Sequence, residues 1–300
     1  MPDPVKRPTT PEEHLLARFV DRTDEIAKFG VMLDTRERCL MIVWGESGTG
    51  KSSLQTRLIH ECTLRNVKNV RVFFRPMRPL DHMTVMYTIR DALGAPAFTP
   101  FTELDEDHRK KGLEVTLRYE GGPINVASQA RISGSQVGAV AGIIVENLEV
   151  NAPRSDMQEL EIERMVKLTQ SFVTCLQRVL ADGPVVLFVD DLEKMSPGTE
   201  DWLRTELLCL VRDGTLNNLI VVVCGQRKPI LEADWYDYAE VSEIGNFDQS
   251  HILEYLAKRG VSDELRAGVA LTLFAVTKGK VGDLVEKVGL LLEALRSAKK

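Results

Sequence analysis

Three observations predict an α/β fold, a three-layer sandwich with a mainly parallel sheet between helices. Short apolar runs rich in β-branched residues, at 39–44, 70–74, 185–189 and 219–224, are bounded by turn-forming or charged residues. Runs of that kind fit strands buried on both faces. Helical periods at 51–65 and 81–93 alternate with the first two runs, the pattern that builds a parallel sheet from crossover units. From Asp248 onward three helical periods (249–258, 263–274 and 281–298) follow with no strand between them. They predict a small helical subdomain after the sheet.

Residues 1–11 carry four prolines among polar residues and read as an arm, with order beginning near Glu12. Phe19 and Val20 form an apolar pair, followed by a polar turn and a short amphipathic helix that Asp21 or Thr23 would cap. Residues 39–44 are the first strand. The helix at 51–65 places Leu54, Leu58 and Ile59 on one side, and Asp81 is suited to cap the helix that ends near Leu93. Between Ala95 and Pro153 the pattern breaks into a proline-punctuated stretch, a charged run at 103–111, an alternating segment at 113–117, a turn at 121–123 and a β-branched run at 143–150. This is an insertion with a β-rich tip or a partly disordered loop. Residues 157–180 form a long amphipathic helix, 199–211 another, and 241–244 a short fifth strand. The domain reading is an arm at 1–11, a core at 12–245 interrupted by the insertion at 95–153, and a helical subdomain at 246–300.

Composition removes several classes. A net charge of −6 argues against a surface built throughout for nucleic acid, although a local basic patch is compatible with it. The five cysteines contain no C-x-x-C pair and lie mostly in apolar segments, which fits a reduced, cytoplasmic protein. No run approaches the ~20 apolar residues that span a bilayer; Gly134, Gly138 and Gly142 have membrane-helix spacing, but the apolar run around them is too short. The five histidines are dispersed without ligand spacing.

Residues 45–52, Gly-Glu-Ser-Gly-Thr-Gly-Lys-Ser, follow the first strand and open a helix. The glycines Gly45, Gly48 and Gly50 let successive N–H groups turn inward onto phosphate oxygens at a positive helix end, with Glu46, Ser47, Thr49 and Ser53 completing the loop. Lys51 supplies a cation for β- and γ-phosphates, and Ser52 a hydroxyl for Mg²⁺. The strand at 185–189 ends in Asp190, suited to hold Mg²⁺, and Asp191, suited to orient the attacking water, with Glu193 as a second candidate base. Arg227 follows the strand at 219–224, on the edge where the carboxyl ends of parallel strands meet ligands, and is placed to sense a γ-phosphate. The ligands so implied are ATP or ADP with Mg²⁺.

With these residues in order, the chain resembles the STAND-type ATPases and the related AAA ATPases of the origin-recognition type. Phe19 to Glu25 is similar to their F-V-G-R-x-x-E segment, with Asp21 in place of the usual Gly; the resemblance implies that Val20 and Arg22 lie beside the adenine. It also implies an extra strand between the phosphate-loop strand and the acidic strand, and a helical lid beginning near Asn246. The lid signature departs from the family: Gly279-Lys280-Val281-Gly282-Asp283 carries neither the usual Pro nor the usual Arg, leaving Lys278 or Lys280 as substitutes. The expected function is a Mg²⁺-dependent, slowly hydrolysing ATPase switch coupled to a protein partner or to self-assembly. Alternatives are a DNA-engaging ATPase, using Arg71, Arg75, Arg78 and 109–111, and a nucleotide-bound interaction module with negligible turnover. A small-molecule kinase fits the segment at 19–29 and the trailing helices poorly.

Overall fold

A computed structural model describes residues 10–73, 81–110, 118–119, 122–123, 154–228 and 235–297. In chain order the elements are α1 Pro11–Ala17, α2 Thr23–Thr35, β1 Leu40–Trp44, α3 Lys51–Leu64, β2 Lys68–Val72, α4 His82–Leu93, α5 Thr99–Lys110, β3 Arg118–Tyr119, β4 Gly122–Pro123, α6 Arg154–Ala181 and β5 Val185–Val189. There follow α7 Pro197–Trp202, α8 Cys209–Arg212, β6 Leu219–Gly225, β7 Ala239–Glu243, α9 Gln249–Lys258, α10 Asp263–Thr277 and α11 Val281–Ser297. A π-helical stretch, Leu203–Leu208, joins α7 to α8. The chain divides into two compact units, Met1–Ala97 with Leu176–Lys300, and Phe98–Cys175.

The first unit holds a sheet of order β2-β5-β6-β1-β7, in which every pairing is parallel. As the family resemblance implied, β6 separates β1 from the acidic strand β5. One face packs Met41, Val43, Val186, Phe188, Ile220, Val222 and Cys224 against Phe29, Met32 and Leu33 of α2 and Leu54, Leu58 and Cys62 of α3. The alternate residues Leu40, Ile42, Leu187 and Val221 are equally buried on the opposite face. A strand whose two faces are both covered has no polar side, which is why β5 and β6 read as unbroken apolar runs. The expected strand at 70–74 starts two residues earlier, where Lys68 aligns with Val185 of β5. The fifth strand likewise begins at Ala239.

The C-terminal helices α9, α10 and α11 build a second core of Phe247, Ile252, Tyr255, Leu256, Val261, Ala270, Leu273, Leu284 and Val288. Val20, from the segment before α2, is buried within this core. Two N-terminal expectations change. Helix α1 starts at Pro11, because Thr10 Oγ1 accepts from Glu13 N at 3.1 Å while Glu13 Oε2 accepts from Thr10 N at 3.1 Å, a capping box with proline at the first position, where its missing N–H costs nothing. Neither Asp21 nor Thr23 caps α2; its N-cap is Arg22, left-handed at φ 68° with no side-chain cap bond. The Asp81 cap holds, its Oδ1 accepting from Thr84 N at 2.7 Å.

In the second unit, the stretch expected to be irregular is helical over 99–110. Pro100 falls in the first turn of α5, where proline is tolerated. Glu103, Glu106, Asp107 and Arg109 of the charged run are exposed, while Phe101 and Asp105, one turn apart, face inward. Phe98 and Phe101 sit 5.5 and 5.6 Å from the Phe172 ring, and buried Asp105 lies between Arg109 at 2.7 Å and Arg164 at 3.2 Å. Gly122 and Pro123, expected within a turn, are instead paired antiparallel with Tyr119 and Arg118. The readings at 1–9, 113–117, 134–142 and 143–150, with Arg75, Arg78 and Lys111, lie outside the described residues.

Candidate functional site

The carboxyl ends of β1, β5 and β6 bring the predicted residues together, since parallel strands deliver their following loops to one edge. Gly45 must be glycine because a Cβ there would stand 2.3 Å from the Ile244 carbonyl oxygen. Gly48 and Gly50 take φ 85° and 95°, a backbone that L side chains rarely adopt. Buried Thr49 closes the turn, its Oγ1 donating to the Glu46 carbonyl at 2.9 Å. The loop therefore has the curled backbone that presents N–H groups at the start of α3, and it fits a polyphosphate.

Lys51 is buried, and its Nζ donates to the carbonyls of Gly45 and Glu46, both at 2.7 Å. Burial pulls its pKa below the usual lysine range, opposed first among the carboxylates by Glu193, then by Asp190 and Asp191. Ser52 is exposed on the first turn of α3. Asp190 is buried at the end of β5, with Oδ1 accepting from Asp191 N at 3.0 Å and Oδ2 lying 3.4 Å from Arg71 Nη2. A serine hydroxyl and a carboxylate are hard oxygen donors, a set that fits Mg²⁺, which keeps most of its own waters.

Asp191 and Glu193 diverge. Asp191 has left-handed backbone at φ 54°, and its Oδ2 holds Lys194 Nζ at 2.5 Å. Glu193 Oε2 accepts from Gln226 N at 3.2 Å, and its side chain lines an open cleft of ≈ 520 Å³ with Glu46, Ser47, Gln226, Arg227 and Lys280. Arg227 is thus in the cleft, beside the loop.

Val20 and Arg22 line a separate, mainly apolar cavity of ≈ 270 Å³ together with Gly50, Ser53, Phe247 and Tyr255. Arg22 stitches its surroundings: Nη2 donates to the Thr49 carbonyl at 3.2 Å and the Gly245 carbonyl at 2.6 Å, and the guanidinium stands over the Phe247 ring at 5.6 Å. Asp21 pairs with Arg22 at 3.2 Å and with His251 Nε2 at 3.4 Å. The charge that would have capped α2 is used across the chain instead.

Sequence reading undervalued Lys280. Its stem lies against Gly48, where an added Cβ would come within 2.8 Å of Lys280 Cε. The neighbouring Gly282 N donates to the Gly48 carbonyl at 2.9 Å. Gly279 makes this approach possible, since at φ 74° a Cβ there would collide with the Phe247 carbonyl oxygen at 1.8 Å. The signal was present in the close spacing of Gly279 and Gly282 around Lys280. Tyr255 and His251 gave none, because an aromatic or a histidine on an amphipathic helix reads first as core or solvated face.

Among solved structures, the replication initiator DnaA bound to AMPPCP and single-stranded DNA is 13% identical with a TM-score of 0.47, covering 97% of this chain and 69% of that one. Cdc6p from Pyrobaculum aerophilum is 14% identical with a TM-score of 0.44, covering 90% and 56%. A Signal Transduction ATPase with Numerous Domains from Pyrococcus horikoshii, bearing a tetratricopeptide repeat sensor, is 12% identical with a TM-score of 0.45, covering 88% and 28%. These are distant likenesses, and the chain spans about half of the Cdc6p chain and about a quarter of the Pyrococcus chain. No curated protein sequence matches this chain. The model of the AAA ATPase domain matches residues 18–222, a span that holds the Phe19–Val20 segment, the phosphate loop, Asp190 at the end of β5 and most of β6, and by that match the chain belongs to the AAA ATPase domain family.

Proposed function

We propose that the chain binds ATP with Mg²⁺, hydrolyses it slowly, and acts as a switch in which the terminal phosphate controls how the helical module at 246–300 docks on the core. One observation carries this reading: the segment leading into α11 rests directly on the phosphate loop, with Gly282 bonded to Gly48 and Lys280 beside it. The nucleoside occupies the cavity of Val20, Arg22, Phe247 and Tyr255, and the phosphates run along Gly48, Thr49, Gly50 and Lys51. Lys51 exchanges its two loop carbonyls for phosphate oxygens, a charge-assisted replacement. Ser52 and Asp190 hold Mg²⁺, which when bound neutralises charge developing on the phosphate oxygens. Glu193 is favoured over Asp191 to orient the attacking water, because Asp191 is engaged by Lys194 while Glu193 faces the cleft. Arg227 and Lys280 flank the position of the γ-phosphate from the core and from the helical module.

Such a switch needs a recipient, a protein partner or a second copy of the chain, in the cytoplasm, a setting compatible with five free thiols. Among the described residues no helix is long and apolar enough to cross a membrane. Hydrogen exchange tests the proposal: residues 277–284 should be better protected with a non-hydrolysable ATP analogue than with ADP. Equal protection in the two states would refute the switch and leave a nucleotide-bound interaction module.

A further inference from the structure

A histidine lies between two carboxylates where the helical module meets the segment before α2. His251 Nε2 stands 3.4 Å from Asp21 Oδ1, and its Nδ1 stands 2.9 Å from Asp248 Oδ1. Asp248 is the N-cap of α9 and His251 the third residue after it, where a capping box turns the side chain back onto the cap. Asp21 and Arg22 have consecutive left-handed backbone, φ 66° and 68°, a conformation that favours glycine. Both of their side chains are engaged. Asp21 pairs with Arg22 at 3.2 Å, and Arg22 donates to the carbonyls of Thr49 in the phosphate loop and of Gly245 at the entry to the module. The contacts run from Asp248 through His251, Asp21 and Arg22 to Thr49, linking α9 to the phosphate loop. Phe247 backs them, with its ring 5.5 Å from the His251 ring and 5.6 Å from the Arg22 guanidinium.

An unprotonated Nδ1 accepts from Asp248 N at 3.3 Å and completes the capping box, whereas a protonated Nδ1 donates to Asp248 Oδ1. A neutral ring carries one proton and donates to only one of the two carboxylates. The imidazolium donates to both. Asp248 stays ionised for this role, since the Ser250 hydroxyl, followed by the His251 N–H, holds its carboxyl below the usual range. Of the other charges near the ring, Arg22 lies behind Asp21, and Glu254, one turn along α9, pairs with Lys258. The His251 side chain is 29% exposed, so solvent protons reach it while its pairs are only partly screened.

We propose that His251 is a positioning residue for the nucleoside cavity: its protonation closes a clasp between Asp21 and Asp248, fastens the helical module to the core and, through Arg22, tightens nucleotide binding. The clasp itself requires no nucleotide, whereas its effect on affinity rests on the nucleoside occupying the cavity of Arg22 and Phe247. The stabilisation is present at low pH and is lost as pH rises through the histidine range, because only the imidazolium bridges both carboxylates.

The test compares the full chain with His251→Gln at about pH 6 and about pH 8, the range over which histidines titrate. Glutamine serves a capping box at this position, so the variant keeps α9 and removes only the titration. Without nucleotide, the wild type should melt above the variant by a margin that is larger at the lower pH by about 2 °C or more; a merely structural histidine would give the same margin at both. By calorimetry, the ratio of wild-type to variant ADP affinity should rise about threefold or more from the higher to the lower pH, a modest coupling for a partly exposed pair. Taking the ratio cancels the titration of Lys51 and of the phosphates, which both proteins share. Asp21→Asn, which keeps the shape and removes one carboxylate, should shrink the pH-dependent part of both readouts. A margin and an affinity ratio that do not change with pH would overturn the proposal. A margin that widens in a wild type that binds no ADP would support the clasp and refute the nucleotide reading of the cavity.

Discussion

Lys51 shows how a side chain with a structural role is also placed for the chemical one proposed for it. Its ammonium satisfies two loop carbonyls while buried, so Lys51→Ala removes the cation that phosphate would meet. ADP affinity should fall roughly 10- to 100-fold, as for loss of one to two charge-assisted hydrogen bonds, read by calorimetry. The sign of the pH dependence follows from burial, which holds the Lys51 pKa below the ordinary lysine range. Bound phosphate raises that pKa again. Affinity should therefore be full at neutral pH and decline as pH rises through the lowered value, a decline absent in Lys51→Ala. The two acids after β5 make a second residue-scale prediction. Glu193→Gln should reduce turnover by about 10²-fold or more with little change in nucleotide affinity, while Asp191→Asn, freeing Lys194, should cost less. Steady-state ATPase assays with parallel binding measurements check the split, and a larger loss for Asp191→Asn would reverse the assignment.

At the scale of elements, the link between β7 and the helical module depends on Gly279. A side chain there faces both a left-handed backbone and a collision with the Phe247 carbonyl oxygen. Gly279→Ala should destabilise by at least ~2 kcal/mol in urea unfolding and loosen Lys280 from Gly48. Phe188 tests the sheet instead: fully buried and 6.0 Å from the Phe29 ring, its replacement by Ala should cost about 3–5 kcal/mol. Strands β5 and β6 were legible because doubly covered strands cannot alternate, so their sequences are apolar throughout. Helix α5 was not, because Pro96 and Pro100 mimic a loop, and the harmless position of Pro100 in the first turn appears only once the helix is placed.

For the whole molecule, the parallel sheet gathers residues distant in sequence onto one edge: Gly45 to Ser52, Asp190 to Glu193, and Gln226 with Arg227. A nucleotide-driven change of mass, followed by size-exclusion with light scattering in ADP and in a non-hydrolysable ATP analogue, is expected if the recipient of the switch is a second copy. A constant mass would exclude a second copy as the recipient of the proposed switch. The sequence alone determined the alternation of strand and helix, the glycine-built turn at 45–52 and the acidic end of β5, since these rest on local periodicity and on residue types that only one local geometry accommodates. Only the tertiary structure decided that Lys280 reaches the loop, that Glu193 rather than Asp191 faces the cleft, and that Val20 belongs to the helical core. Each depends on where a side chain points after elements far apart in the chain have packed, and contact direction is not encoded in spacing along one segment.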